Sequence, residues 1–443
     1  MELKDVHKEV YDWIDEHRRN IVDFCSEFIE HRSITGEELE VQREFLLPFL
    51  ENEMEWDEVD CFSLSKERER PNINAVLRGE GRGASLLING HVDVFPVPRN
   101  QLPQWTTDPW KPIVRDGMLY GRGSNDMKGG ITSALWAVKA LMELGIRPRG
   151  TVALEAVVGE EAMEHQIGTT GATRRLLERG HEFQFCIDPE PTNCEIHTIS
   201  PGSFDFEIVI QGKDVHDGER NLVLFPQRWG IPSGGAVGVD ALSRMMGLLR
   251  LLEKKEREWN HRWRHPILGG GGHPRPDSQG VGCFSLNPGI VEAGTHFSAV
   301  PGYARAHFNC YHPAWIKHED VLAEIGGLID AYASTDDWLR ERPPKLIKPN
   351  IVWPPFEVDV ERRECQILAE TWRNATGREA IFSGFKAVAD VSFLQALGIH
   401  GVCMGPGDML MGTHGPDEHV PIDHLIDCAK AFACFMIDLN LGE

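Results

Sequence analysis

LLINGHVDVFPV, residues 86–97, runs through Leu86, Leu87 and Ile88 and then presents His91 and Asp93, one residue apart. A short apolar run of this kind reads as a strand buried on both faces, as in a parallel sheet covered by helices. Ligands of such sheets sit beyond the carboxyl ends of the strands. A histidine and a carboxylate at that place raise a metal site. The alternative is a polar loop that merely satisfies its own hydrogen bonds.

Outward from this strand, short apolar runs alternate with helical stretches. Asn74–Leu77, Ser85–Asn89, Thr151–Val158 and Phe183–Ile187 read as strands. A helix over 131–143 places Ile131, Leu135, Val138 and Met142 on one face, and Gly145 and Pro148 stand where it should stop. Residues 1–32 read as one amphipathic helix through Val6, Val10, Trp13, Ile21, Cys25, Phe28 and Ile29. Near residue 200 the texture changes. In SFDFEIVIQG, Phe204, Phe206, Ile208 and Ile210 alternate with Asp205 and Glu207, the pattern of an antiparallel strand with one wet face. Helices over about 238–258 and 316–333 follow, separated by the loop HPILGGGGHPRPDSQG. After PPFEVD the first texture returns and ends in a helix near 422–438. The expected fold is α/β. One domain, residues 1–198 and 353–443, has a mostly parallel sheet flanked by helices. An α+β domain with an antiparallel sheet, residues 199–352, is inserted into it.

The bulk properties exclude several functions. The chain has 443 residues, more than one compact core usually takes. Its formal net charge of -23 argues against nucleic acid and anionic membrane surfaces as partners. No run of about 18 apolar residues occurs that would span a membrane. The start, MELKDVHKEVYDW, is charged rather than signal-like, and the ten cysteines contain no C-x-x-C pair. A cysteine zinc finger is therefore excluded, and a cytoplasmic protein with reduced thiols is expected.

Four further segments place acids or histidines where the Leu86 strand places His91 and Asp93. GRGSNDMKGG carries Asp126 in a glycine-rich loop; VVGEEAME carries Glu160 and Glu161; IDPEPTN carries Asp188 and Glu190; GPGDMLMGTHGPDEHV carries His414. Each alone reads equally well as a solvated loop. Together they form a mixed histidine and carboxylate set that suits Zn, Mn or Co, with carboxylates able to bridge two ions about 3.5–4 Å apart. No H-E-x-x-H helix, G-x-S-x-G elbow or G-x-x-x-x-G-K-[ST] loop competes with it.

GHVDVFP, LYGRGSNDMKGG, GEE, PEPT and GPGD…GTHGPDEHV, in this order, resemble the M20 metallopeptidase/amidohydrolase family over nearly the whole chain. That family includes acetylornithine deacetylase, succinyl-diaminopimelate desuccinylase, aminoacylase and glutamate carboxypeptidase. The resemblance implies two divalent metal ions, zinc first and cobalt or manganese as alternatives. His91 would bind one ion and Asp126 would bridge both. Glu161 and His414 would complete the first, and Glu190 the second. Glu160 would be the general base, and the Asp93 carboxylate would orient His91. Residues 1–198 and 353–443 would be the catalytic domain and 199–352 an inserted lid or dimerisation domain, with a homodimer formed through the lid. His216 of GKDVHDGERN would stabilise the tetrahedral oxyanion, which in dimeric members it does across from the partner subunit. A cis peptide after Asp126 is implied as well. Asp188 is expected to be structural, Cys186 packed in its strand, and His165, His419 and His424 surface residues. The implied reaction is hydrolysis of an N-acyl amide in a small molecule by activated water. The alternatives are a dipeptidase or carboxypeptidase, and an aminohydrolase or deformylase of an aromatic substrate. A binding protein without activity, recognisable by a broken ligand set, belongs to another class.

The chain departs from the family where a substrate carboxylate is usually held. In THFSAVPGYARAHFNCYHP, Ser298 stands where an asparagine is expected, and Phe308 and Cys310 stand where aspartate and arginine precede Pro313. KAVADVSFL keeps Asp390 but has Ser392 where a basic residue is common. Loss of the arginine removes a bidentate, always-charged clamp. Arg305, Lys386 and His296 are the candidates to replace it. The extra segment 221–236 offers Phe225 and Trp229 for an apolar pocket or for lid packing.

Overall fold

The computed structural model describes residues 3–81, 83–225, 230–268 and 281–439. Trp229 and the glycine-rich stretch 269–280 lie outside them. The chain divides into two compact units. One comprises Met1–Ile199, Phe356–Phe385 and Ala389–Glu443; the other comprises Ser200–Pro355 and Lys386–Val388.

The first unit is built on a nine-stranded sheet. Its path runs Glu58–Ser63, Pro71–Leu77, Val152–Val157, Leu86–His91, Phe185–Asp188, His400–Cys403, Ile196–Ser200 and Phe356–Glu357, with Phe382–Gly384 beside Ile196–Ser200. The centre is parallel: Leu86–His91 pairs in parallel with Val152–Val157 on one side and Phe185–Asp188 on the other. All three strands are buried along their length, which explains their mostly apolar sequences, broken only by buried polar residues such as Asn89 and Glu155. Register aligns His91 with Val157, so these strands release their loops at one rim of the sheet. From that rim come Asp93, the Glu160–Glu161 pair and the Asp188–Glu190 turn.

The helix Lys128–Glu143 packs beneath the rim. It is buried on nearly every side rather than along one stripe, and Met142, expected on the apolar face, is only half-buried. The reason is its neighbours, since Leu3–Glu16, Arg18–Glu30 and Ile422–Asp438 all contact it. Small residues let them approach. A Cβ added at Gly130 would stand 1.9 Å from the Pro189 carbonyl oxygen, so this glycine lets the helix start lie against the turn that carries Glu190. Lys128 is buried and donates from Nζ to the carbonyls of Phe28 and His31, each at 2.8 Å. It thus satisfies carbonyls at the end of the Arg18–Glu30 helix. Burial pulls its ammonium down to about 7.

The single N-terminal helix expected over 1–32 is two, Leu3–Glu16 and Arg18–Glu30. His17 breaks it with φ -94° and ψ 8°, and its Nδ1 lies 2.8 Å from the Trp13 carbonyl oxygen.

In the second unit a five-stranded antiparallel sheet has the path Ser285–Ala293, Tyr303–His312, Gly202–Gln211 and Lys345–Ile347, with Val352–Trp353 also on Gly202–Gln211. Phe204, Phe206, Ile208 and Ile210 are buried while Asp205, Glu207 and Val209 are half-buried, as the alternation predicts. Helices Ala241–Arg262 and His318–Ser334 contact the sheet and each other. The fold is therefore mixed α/β, with a largely parallel sheet and a separate antiparallel one.

One buried acid in the central sheet sets a pH test. Glu155 Oε2 accepts from Asn89 Nδ2 at 2.8 Å and from Thr173 Oγ1 at 2.9 Å. Burial, only partly offset by these bonds, pushes its carboxyl up to about 8. The folded state then holds this proton more tightly than the unfolded chain does. The stability it contributes is present below the unfolded value of 4.5 and is lost as pH rises through about 8. Glu155→Gln keeps an acceptor for both donors and removes the titration. Urea unfolding should show the variant's advantage over wild type growing between pH 5 and 8.

Candidate metal centre

The side chains that the scattered motifs supply converge at the sheet rim. His91, Asp126 and Glu190 form one group, and Asp126, Glu161 and His414 another; within each group one ligand atom per residue lies within 4.8 Å of the others. Asp126 belongs to both. Its Oδ1 is 3.2 Å from His91 Nε2, and its Oδ2 is 3.4 Å from His414 Nε2. His91 Nε2 is 3.6 Å from Glu190 Oε1, and His414 Nε2 is 2.9 Å from Glu161 Oε2. Glu160 Oε2 stands 3.8 Å from His91 Nε2, outside both groups. The Asp126–Met127 peptide is cis.

This geometry corrects the expected division of ligands. Glu190 belongs with His91, and Glu161 and His414 form the other group. Sequence order could not show it. Both Val152–Val157 and Phe185–Asp188 are hydrogen-bonded to Leu86–His91, so the course of the loops beyond the strands decides the grouping. The turn after Phe185–Asp188 brings Glu190 Oε1 to 3.6 Å from His91 Nε2.

The electrostatics are lopsided. Among the described residues, Asp126, Glu160, Glu161 and Glu190 have only His91 and His414 as ion-pair partners and no Lys or Arg. Burial pushes Glu160 well above the ordinary carboxylate range, raises Glu161, and brings Glu190 up to about 7. Burial opposes ionisation of Asp126 too, but the two imidazoles outweigh it and hold this carboxyl below its usual range. Burial likewise disfavours the imidazolium of each histidine. Asp126 and Glu190 outweigh that at His91, raising it well above 6.5, and Asp126 and Glu161 do so at His414, raising it to about 10. The Glu161 Oε1 atom is buried without a hydrogen-bond partner. Oxygen and imidazole donors at these spacings, in a pocket short of positive charge, fit divalent cations.

The supporting contacts differ from expectation at Asp93. His91 Nδ1 lies 2.8 Å from the backbone oxygen of Asp93, against 3.7 Å from its carboxylate. The carboxylate instead accepts from Gly159 N at 2.9 Å, Glu161 N at 3.2 Å and Thr35 Oγ1 at 3.0 Å. The main chain of Asp93 thus sets the imidazole, and its side chain anchors the loop that carries Glu160 and Glu161. The same loop is braced by buried Arg70, paired with Glu38 and with Glu164.

Two buried residues that hydrogen-bond the ligand-bearing loops escape a reading of the sequence. Glu418 is fully buried; its Oε1 accepts N–H groups of Gly123, Asn125 and Asp126, each at 3.0 Å, and its Oε2 pairs with Arg122. Asn125, also fully buried, bonds by its side chain to Asp408 and Thr413. Glu418 is one of 68 acids, and only its burial sets it apart. A signal was present: it stands four residues after His414 in the same motif.

Asp188 is buried and belongs to neither ion group, and Cys186 is buried in its strand. His165, His419 and His424 are half-buried rather than surface residues. His165 stacks on Phe393 at 3.5 Å, His419 lies 4.9 Å from the Tyr120 ring, and His424 Nδ1 accepts from Gly407 N at 3.4 Å.

In the second unit His216 is exposed at the end of a two-residue ladder, opposite Ala299, and its Nδ1 accepts the Gly218 N–H at 3.1 Å. Phe308 and Cys310 face the core, so neither position of the expected clamp is presented to solvent. Arg305, Asn309 and Tyr311 lie on the opposite, half-buried face of that strand. Arg305 is bound bidentately by Glu207 at 2.8 and 2.5 Å. His296 Nδ1 lies 2.7 Å from Ser298 Oγ, and Lys386 and Phe225 are exposed.

A helix-flanked, largely parallel sheet whose rim gathers such a donor set defines the metallohydrolase class. The chain belongs to peptidase family M20/M25/M40, whose model matches residues 87–438. It is similar to an N-formyl-4-amino-5-aminomethyl-2-methylpyrimidine deformylase of Halalkalibacterium halodurans, 28% identical over 83% of this chain and 82% of that one. It is also similar to a succinyl-diaminopimelate desuccinylase of Gluconacetobacter diazotrophicus, 27% identical over 83% of each chain. Among solved structures it resembles human carnosine dipeptidase 1, with a TM-score of 0.70, 18% identity and 98% of both chains covered, a likeness of fold. The protein is an M20 hydrolase.

Asp93→Ala should strand the Gly159 and Glu161 N–H groups while leaving the backbone oxygen that faces His91. Denaturant unfolding should show a loss of about 1–3 kcal/mol. Metal titration should show affinity lowered about 10- to 100-fold.

Proposed function

We propose that the protein is a dinuclear metal-dependent amidohydrolase that cleaves an N-acyl bond in a small, uncharged molecule. The observation that carries this is the pair of donor groups sharing Asp126, in a pocket whose acids lack Lys or Arg partners. His91, Asp126 and Glu190 would hold one ion, and Asp126, Glu161 and His414 the other; zinc suits this donor set best, with cobalt or manganese as alternatives. Divalent ions held there would polarise the scissile carbonyl and make water acidic enough to react near neutral pH.

The remaining chemistry falls to the chain's own groups. Glu160, near the ions' ligands but outside both sets, takes the proton of the attacking water on its carboxylate. The C–O bond forms first, opening the carbonyl to a tetrahedral oxyanion. Glu160 then delivers its proton to the nitrogen, and the C–N bond breaks as the oxyanion collapses to the carboxylic acid and the amine. His216, with Nδ1 occupied by the Gly218 N–H, is assigned the oxyanion-stabilising role that the family resemblance gives it. The second unit acts as lid and as the contact of a homodimer in a cytoplasmic enzyme.

The substrate reading departs from carboxylate-bearing amino acids. The expected clamp positions are core residues, and Arg305 is already neutralised by Glu207. This favours a formamide or another neutral acyl amine, on an aromatic group as in the deformylase relative, over a dipeptide. The run Met409, Leu410 and Met411 agrees with an apolar substrate, being exposed or half-buried close in sequence to His414.

Glu160→Gln should lower kcat by about 10²- to 10⁴-fold with metal content unchanged; full turnover by this variant would refute the general-base role. His216→Ala should lower kcat by about 100- to 1,000-fold, measured on whichever substrate wild type accepts. A panel of N-formyl, N-acetyl, N-succinyl and dipeptide substrates should rank the uncharged formyl or acetyl amines first by kcat/KM.

A further inference from the structure

The two segments that supply Asp126 and His414 grip each other twice, in opposite directions. Glu418, on the His414 segment, takes the backbone N–H groups of Gly123, Asn125 and Asp126 on a single carboxylate oxygen. Its other oxygen is held by Arg122, which is buried with it. Asn125, beside Asp126, reaches the other way. Its Nδ2 donates to the Asp408 carbonyl at 3.0 Å and to Thr413 Oγ1 at 2.7 Å, and its Oδ1 accepts the Asp408 N–H at 3.1 Å. The first grip fixes the main chain of the shared ligand. The second fixes the chain just before His414.

The other ligands do not depend on this clasp. His91 ends a fully buried strand paired on both sides, and its ring is set by the Asp93 carbonyl. Glu190 follows the neighbouring strand. His414 sits on a loop with φ 56°, and its side chain is 46% exposed. Its imidazole meets the carboxylates of Glu161 and Asp126, at 2.9 and 3.4 Å, its carbonyl accepts from Gln101 at 2.9 Å, and its ring stacks on Phe95 at 4.2 Å. The main chain just before it is held by the clasp.

We infer that Glu418 and Asn125 are positioning residues with unequal reach: Glu418 governs both ions through shared Asp126, and Asn125 governs the ion of His414 and Glu161. The inference rests on the two-ion reading of the site and adds a division of labour to it. A ligand held within a few tenths of an ångström by its supporting shell binds more tightly than one left free to wander.

The test uses the full chain, stripped of metal and titrated with Co(II). Bound ions are counted by equilibrium dialysis and elemental analysis, the visible Co(II) spectrum reads coordination, and thermal unfolding of the metal-free protein reads fold. Asn125→Ala and Thr413→Val should each keep one ion at wild-type affinity and weaken the other about 10- to 100-fold. Thr413→Ser, which retains the hydroxyl, should restore both. Glu418→Gln should weaken both ions and alter the spectrum of each. Thr413→Val removes one hydroxyl from a half-buried loop and so tests the clasp even if Asn125→Ala does not fold. Equal weakening of both ions by Asn125→Ala and Thr413→Val, or no weakening, overturns the division of labour while leaving the two-ion reading intact. Fewer than two ions in wild type overturns the two-ion reading and this inference with it.

Discussion

Four carboxylates crowd one rim of a buried sheet with two imidazoles and, among the described residues, no Lys or Arg paired with them. Isolated burial of ionised carboxylates is among the most costly arrangements a fold contains, and mutual repulsion adds to it. Without cations the three glutamates hold protons that they would otherwise lose, as Glu190 does up to about 7, while the imidazoles keep Asp126 ionised. The rest of the first unit is organised around keeping these groups together against that penalty.

The scaffold does so mostly with backbone. Parallel neighbours of the Leu86–His91 strand end at the same rim, so each delivers its loop to one place. The absent side chain of Gly130 admits the turn that carries Glu190. Two further carboxylates, Asp93 and Glu418, coordinate nothing in either donor group; they collect N–H groups from the loops that bear Glu161 and Asp126. Negative charge is thereby used twice, as donor set and as the anchor of the loops that present it. Buried pairs such as Arg70 with Glu38 and Arg122 with Glu418 brace the same loops, where a lost partner would leave an uncompensated charge.

Much of this was legible in the chain. Strand-end position and donor chemistry gathered a wider set that also held Asp93, Glu160 and Asp188. The family resemblance narrowed it to His91, Asp126, Glu161, Glu190 and His414, the residues that form the two donor groups. The alternation from Phe204 to Ile210 marked the antiparallel sheet equally well. Three things were not legible. The pairing of Glu190 with His91 depends on the course of the loops beyond two strands that both adjoin Leu86–His91, which periodicity does not contain. The role of Asp93 turned on whether its carbonyl, 2.8 Å from the ring nitrogen, or its carboxylate, 3.7 Å away, faces the ring. Glu418 and Asn125 act by hydrogen bonds across a long sequence separation, and nothing local distinguishes them from loop residues. The break at His17 and the all-round burial of Lys128–Glu143 were missed for a related reason, since tertiary neighbours decided them.

The family reading supplies the reaction class, and the core placement of Phe308 and Cys310 is what moves the substrate away from free carboxylates. Both depend on the ions being where the donors imply. Anomalous diffraction from crystals grown with Zn or Co is the most direct test. The account predicts two peaks about 3.5–4 Å apart, one on each side of the Asp126 carboxylate. One is ligated by His91 and Glu190, the other by Glu161 and His414. A single peak, or peaks away from Asp126, would contradict it.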